Sequence, residues 1–347
     1  KQKQVAISQL KLSLAAALIL LAPIGISLYM YHSFEEHANP SEVVVVQPNI
    51  DPYGKFGHIS PEEQLRTLIQ LSNSVGKANT EFFIWPETAI SSRSGIDEEE
   101  FRSHSIYTQV STFLDQYKNG NVLSGIESYA LYPDAKTITA RPYGNQFMDN
   151  FNAAVLIDNS SKLQFYHKSK LVPGVEQLPF SQALGFMKPL FAQFGGTTGG
   201  YGSQEEASVF YAQSGIGAAP VICYESIWGN YVADYVKQGA QFIAVVTNDG
   251  WWGNTSGKDQ HLQYAKLRAI ENRRWVARSA NTGISGFINQ RGDIVQHSKW
   301  WTETALTQEI NLNENLTFYT KYSDLIVYIS FITSLLSISL LFIAKRK

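Results

Sequence analysis

The chain has 347 residues, of which 44% are apolar, 13% aromatic and 17% charged, a balance that excludes a disordered chain and supports a sizeable core. With 28 basic against 30 acidic residues the formal charge is −2, so nothing invites a nucleic-acid backbone. One cysteine excludes a disulfide within the chain, and seven histidines without H-x-x-x-H or comparable spacing give a metal site no support.

The first element is LSLAAALILLAPIGISLYM, residues 12 to 30, which carries no formal charge and is long enough to cross hydrocarbon as a helix. A signal peptide is the alternative, with Lys1, Lys3 and Lys11 as its basic leader, but SFEEHANPS offers no convincing cleavage site. Pro23 and Gly25 are tolerated in lipid where neighbouring helices satisfy the loosened backbone, so this helix is expected to have neighbours. Because the chain starts on KQKQ, it is expected to be the later part of a longer membrane protein. The last element, LIVYISFITSLLSISLLFIA (325 to 344), is also uncharged and is followed by Lys345, Arg346 and Lys347. Both basic clusters lie on the outer flanks, which places the two ends in the cytoplasm and everything between them on the far side. The expected organisation is a spanning helix within 1–33, one extracytoplasmic domain over 34–323 and a second spanning helix within 324–347.

In that domain, apolar runs of strand length occur at 42–50, 81–89, 152–158, 218–225 and 241–249, and their continuous apolar character predicts strands buried on both faces. Helix signals lie between them. Ser60, Pro61 and Glu63 supply a cap, a first-turn proline and a glutamate ahead of Leu65, Leu68, Ile69 and Leu71. The segment 259–279 places Leu262, Ala265, Ala269, Trp275 and Val276 at near-helical spacing, and a hairpin is predicted to turn at Arg291-Gly292. The Gly-rich GGTTGGYG (195–202) lacks the lysine of a phosphate loop and reads as a flexible surface loop. Strands alternating with helices make this an α/β domain.

Three residue types within it suit one reaction. In FFIWPETA the carboxylate of Glu87 follows an apolar strand and a proline, and its apolar surroundings favour a general base; capping a helix is the alternative. In FYHKSKLVP, Lys168 and Lys170 point the same way in an extended segment, and spacing alone does not choose between them or exclude a solvated pair. Cys223 closes the run APVIC just before a turn into a helix, a corner that exposes a thiol and offers backbone N–H groups to an oxyanion; a buried filler cysteine is the alternative.

WPE around Glu87, YHKSKLVP around Lys168 and VICYES around Cys223, in that order, resemble the Glu, Lys and Cys blocks of the nitrilase (carbon–nitrogen hydrolase) superfamily. TNDGWWGNTSGKDQHLQYAKLRAIENRRWVARSANTGISGFINQRGDI narrows the resemblance to its apolipoprotein N-acyltransferase branch, membrane enzymes that add the third acyl chain to bacterial lipoproteins. The resemblance implies a nitrilase-like four-layer αββα sandwich flanked by one N-terminal and one C-terminal transmembrane helix. It implies Glu87, Lys168 and Cys223 as catalytic residues, Lys168 being preferred to Lys170, with Glu176 and Glu225 as supporting acids. Lys168 and the Tyr224 N–H would hold the oxyanion.

The implied reaction takes an acyl chain from a phospholipid onto Cys223 as a thioester and passes it to the α-amine of a diacylated lipoprotein, with no metal or organic cofactor. A monomer in the bacterial inner membrane, multi-pass, with its catalytic domain on the periplasmic face, is expected. Lipid substrates imply a site open to the bilayer: LGFMKPLFAQF (184–194) reads as a lipid-contacting lid carrying Phe186 and Phe191, with Trp251 and Trp252 as further contacts. Core packing is the alternative for both. Two departures stand out: Gly174-Val175-Glu176 replaces the family's common Phe-Gly-Glu, and the family usually has more spanning helices ahead of residue 12. A membrane-tethered amidase or nitrilase with the same triad, and an inactive binding domain, are the competing readings.

Overall fold

The computed structural model describes residues 2–51, 59–92, 94–160, 162–177 and 200–344. Helix α1 (Gln2–Ser33) belongs to a compact unit of its own that ends at His37. Leucines and isoleucines are exposed along its length, and apolar exposure all round a helix is what hydrocarbon solvates. Its stretch Leu10–Ser33 is long and apolar enough to cross a membrane.

The second unit, Ala38–Lys347, holds two sheets. The first is built on β1 (Pro40–Gln47), β2 (Thr80–Ile90) and β4 (Asn121–Tyr132), paired in parallel, with the short β3 (Ile96–Asp97) beside β4. Antiparallel to β4 runs β6 (Gln146–Ile157), which also pairs with β5 (Arg141–Tyr143) and β7 (Gln164–His167). The second sheet has β9 (Gly217–Ile222), β10 (Phe242–Thr247) and β11 (Val276–Ala280) in parallel, extended by β8 (Phe210–Tyr211) on one side. On the other side lie β12 (Gly286–Ile288) and β13 (Ile294–His297). The predicted hairpin joins those two strands, turning at Gly292 with φ +87°. Finally β14 (Thr304–Asn311) returns to the first sheet, antiparallel to β1.

The valine run of β1 shows why four layers form. Val44 and Val46 pack with Leu65 and Leu68 of α2 (Pro61–Val75) and with Ile106, Val110 and Phe113 of α3 (Ser105–Leu114). Val43 and Val45 instead face the second sheet, where Phe82 meets Phe242 edge to face at 5.0 Å. Beyond the second sheet lie α4 (Gly229–Lys237) and α5 (Gly257–Asn272), through Val232, Tyr235, Leu262 and Ala265. The order is helix, sheet, sheet, helix, the αββα sandwich that the resemblance implied. As predicted, Ser60 caps α2, its hydroxyl accepting from the Glu63 N–H at 3.1 Å.

Two expectations are corrected, and a third lies mostly outside the described residues. The segment 259–279 is not one helix: α5 stops at Asn272, Arg273 turns left-handed (φ 50°), and Trp275 and Val276 move into the sheet. The cause is the buried Arg274 guanidinium, which donates to the carbonyls of Ala240, Asn272 and Asn315 and draws the chain inward. Strand β9 ends at Ile222, so Cys223 begins the turn and does not lie in a strand reaching Glu225. The Gly-rich stretch lies mostly outside the described residues, but its end is packed: Tyr201 N–H donates to Glu176 O and Gly202 N–H to Asn150 O. A short α6 (Phe318–Lys321) then leads into α7 (Leu325–Ala344), the second helix apolar enough to span a membrane.

Candidate active site

Glu87 owes its position to an interruption of β2. From Trp85 to Ile90 that strand takes five steps while β4 takes two, from Ser124 to Ile126, so the extra residues bulge out of the sheet. Pro86 withholds a ladder N–H there, and Thr88 adopts φ +50°. The bulge lies flat on Gly125 of β4. A Cβ at that glycine would sit 2.5 Å from Glu87 Cα and 2.6 Å from Pro86 O, so no larger residue fits beneath the carboxylate's backbone.

Lys168 follows β7 directly and keeps its register, its N–H donating to the Asn152 carbonyl of β6 at 2.9 Å. Its ammonium is 1% exposed and donates to Glu87 Oε1 at 3.2 Å and to Glu176 Oε1 at 2.8 Å. The Asn152 amide donates to the same two carboxylates, at 2.8 and 2.7 Å, and the Val172 N–H holds Glu176 Oε2 at 2.7 Å. Burial alone would push the Lys168 pKa down, but the carboxylates of Glu87 and Glu176 outweigh it and hold the group well above its ordinary value. Lys170, by contrast, lies over the Tyr231 ring at 4.7 Å.

Cys223 reaches this cluster from the other sheet. It has φ +48°, an unfavourable backbone for a residue with a Cβ, and it opens a short 3₁₀ turn, Cys223–Ile227. The residue is partly exposed, yet its thiol is enclosed enough that desolvation pushes its pKa up. The Glu87 charge pushes the same way, while Lys168 and a hydrogen bond with Thr247 oppose it. Glu87, Lys168 and the thiol therefore share one electrostatic environment, in which burial and the Glu87 charge favour the protonated sulfur.

Glu225 ties the two sheets together here. Fully buried, its Oε1 accepts from the Tyr166 hydroxyl, from Ser169 N–H at 2.7 Å and from Lys170 N–H at 3.2 Å. Its Oε2 accepts from Ile222 N–H at 2.9 Å, so one carboxylate grips both the segment after Lys168 and the strand end before Cys223. Burial pushes it up to about 7, against the pull of those donors and of Lys168. The N–H of Tyr224 lies in the first turn of the 3₁₀ helix, where donors have no intrahelical partner, and its ring meets Trp228 edge on at 6.3 Å.

The structure thus brings Glu87, Lys168 and Glu176 into contact, with Cys223, Tyr224 and Glu225 on the facing turn. Trp251 is exposed and does not pack into the core. The side chain of Trp252 and the proposed lid with Phe186 and Phe191 lie outside the described residues.

Two features escaped the sequence reading. Asn152 is one; a polar residue inside the apolar strand FNAAVLI was the available signal. The other is a buried cluster under the cysteine: Arg278 donates to Asp249 at 2.8 and 3.0 Å, and Asp249 lies 2.9 Å from His261 Nδ1. His261 Nε2 is 3.1 Å from the Cys223 carbonyl. Desolvation would raise the Asp249 pKa, but Arg278 and His261 hold it well below the usual carboxylate range.

Comparison with known proteins gives the family and the fold. The carbon–nitrogen hydrolase family profile matches residues 42–315. The apolipoprotein N-acyltransferase of Chlorobaculum tepidum is 34% identical over 294 residues, covering 83% of this chain and 54% of that protein. That of Haemophilus ducreyi is 27% identical over 324 residues, covering 91% and 59%. The chain therefore spans a little over half the length of these curated relatives. Among solved structures, the nitrilase-superfamily protein Nit3 of Saccharomyces cerevisiae superposes with a TM-score of 0.53 at 15% identity, covering 79% of this chain and 90% of that one. A CN-hydrolase superfamily protein of Xanthomonas campestris gives 0.51 at 14%, covering 85% and 97%.

Proposed function

Since this chain belongs to the carbon–nitrogen hydrolase family, we propose that it works as an acyltransferase, moving an acyl chain from a phospholipid to the N-terminal α-amine of a diacylated lipoprotein through a thioester on Cys223. The observation that supports this best is a buried ammonium, Lys168, set between two buried carboxylates and coupled electrically to the lone thiol of the chain. A thiol whose pKa is raised needs a base at the moment of attack, and Glu87 is that base.

In the first half-reaction Glu87 takes the Cys223 proton as sulfur attacks the ester carbonyl. The oxyanion is held by Lys168 and the Tyr224 N–H; its collapse expels the glycerol oxygen, which receives the proton from Glu87 as a lysophospholipid. In the second, the acceptor amine attacks the thioester, Glu87 removes its proton, and the thiolate leaves and is reprotonated, giving an amide. Glu176 and Asn152 hold Lys168 and Glu87 in place, and Glu225 fixes the turn that carries the cysteine.

The catalytic domain spans 34–323, on the periplasmic face of a bacterial inner membrane, with the chain crossing at residues 12–30 and 325–344 and the protein acting as a monomer. Basic residues on the outer flanks of both spans support that orientation. Trp251, with Trp252, Phe186 and Phe191, contacts lipid. The test is to incubate the full chain with phospholipid vesicles and a diacylated lipopeptide and to weigh both products. One acyl chain gained by the peptide, and an acyl adduct on the wild type absent from Cys223→Ser, are expected. Free fatty acid without acylated peptide would make the protein a hydrolase, and no adduct on Cys223 would remove the enzymatic reading.

A further inference from the structure

We propose that His261 is a positioning residue for the nucleophile: clamped by Asp249 and Arg278, it fixes the Cys223 carbonyl and so holds the left-handed backbone that presents the thiol. The inference rests on Cys223 being the nucleophile, and adds the device that aims it.

A left-handed residue with a side chain persists only where its surroundings over-determine it. At Cys223 they do so on both sides. The Ile222 N–H is held by Glu225, and the Cys223 carbonyl accepts from Ser226 Oγ at 2.8 Å, with His261 Nε2 at 3.1 Å from the same oxygen and 2.9 Å from Ser226 Oγ. Ser226 is local to the turn and moves with it. His261 is not: it lies on α5, 38 residues along the chain, and links the Cys223 carbonyl itself to a separate element.

Its own orientation is fixed from below. Nδ1 lies 2.9 Å from Asp249 Oδ1 and 3.2 Å from Arg278 Nη2, whose N–H it can accept while Nε2–H donates to the Cys223 carbonyl, and Asp249 is gripped by Arg278 of β11 and by the Thr247 hydroxyl of β10 at 3.2 Å. Room for that carboxylate is kept by Gly283, where a Cβ would lie 2.3 Å from Asp249 Oδ2. All three ionisable side chains are at least 97% shielded from solvent, with relative exposures of 3% for His261 and 0% for Asp249 and Arg278. Apolar residues of equal volume would fill that space at less electrostatic expense, so packing alone does not explain the group. A polar chain that ends on the carbonyl of a strained nucleophile explains it.

The test uses the full chain, whose single cysteine makes thiol alkylation by iodoacetamide readable by intact mass. His261→Asn places an amide where Nδ1 stands, keeping Asp249 but falling short of the carbonyl; His261→Gln extends to the position of Nε2. Alkylation is expected to slow roughly 10- to 100-fold in H261N and to recover most of that in H261Q, with equal melting temperatures. Equal rates in the two variants, or losses that follow melting temperature, overturn the proposal. Asp249→Asn loosens His261 without removing it, so a wild-type rate in folded D249N overturns it as well. If H261Q is rescued while phospholipid never acylates the wild type, the acyl-transfer reading fails and the positioning role stands.

Discussion

Replacing Lys168 with methionine removes a buried cation while keeping most of its volume. Its ammonium sits 3.2 Å from Glu87 and 2.8 Å from Glu176, each attraction worth about 5–6 kcal/mol at an effective dielectric constant near 20, before desolvation is subtracted. Removing one member of such a buried group costs a net of about 3–5 kcal/mol, because the charges left behind lose their partner. Here two carboxylates would face each other across the single Asn152 amide. One relieves the repulsion by taking up a proton, so the deficit must shrink in acid. For Lys168→Met the expected fall in melting temperature is at least about 6 °C near pH 8 and less than half of that near pH 5, with no acyl adduct on Cys223 at either. Differential scanning fluorimetry over that range measures the first and intact mass the second. A fall below about 2 °C near pH 8, or an equal fall at both pH values, would refute a charge cluster of this geometry.

Further outcomes follow from the supports around the cluster. Glu225 has its pKa raised from 4.5 to about 7, so its protonation favours the fold fully below 4.5 and that contribution is lost as pH climbs to about 7. Glu225→Gln lacks this slope, so its melting temperature should gain on the wild type across that window; a constant difference in thermal melts contradicts the assignment. Gly125→Ala forces a methyl into the backbone of Pro86–Thr88 and should cut Cys223 acylation by roughly 10- to 100-fold while costing about 1–3 kcal/mol of stability. An unchanged acylation rate would show that Glu87 does not need its bulge. Asn152→Leu, losing the donor shared by Glu87 and Glu176, should lower acylation and destabilise by about 1–3 kcal/mol, read by urea unfolding.

Much of the layered fold was legible because buried parallel strands such as β1 and β10 are apolar on both faces and announce themselves as unbroken runs. The strand ends were not: whether the chain continues past Ile222 or Gln47 depends on turn geometry, as at Cys223 and Asn49, both with positive φ. The helix break at Arg273 depends on where a guanidinium finds carbonyls from Ala240 and Asn315, information spread over distant stretches. Strand β14 pairs with β1 across most of the chain and has three apolar residues in eight, so local pattern did not mark it. At the site, Glu87 and Cys223 stood out as charged or reactive groups beside apolar runs, whereas spacing alone left Lys168 and Lys170 equivalent and only the family resemblance preferred Lys168. Contact with Glu87 and Glu176 distinguishes them. Asn152, Asp249 and Arg278 carry no motif that names their targets, since their meaning lies in whom they touch.

The thiol stands on one sheet, and the carboxylates and ammonium stand on the other. A relative slip of about half an ångström between the two slabs would alter the reach of sulfur toward its base while leaving every ladder of backbone hydrogen bonds intact. On the proposed mechanism, ordinary-looking filling such as the Phe82–Phe242 contact would therefore act as a spacer with kinetic meaning. Hollowing out that seam is a change to the gap between reacting groups before it is a change to the fold.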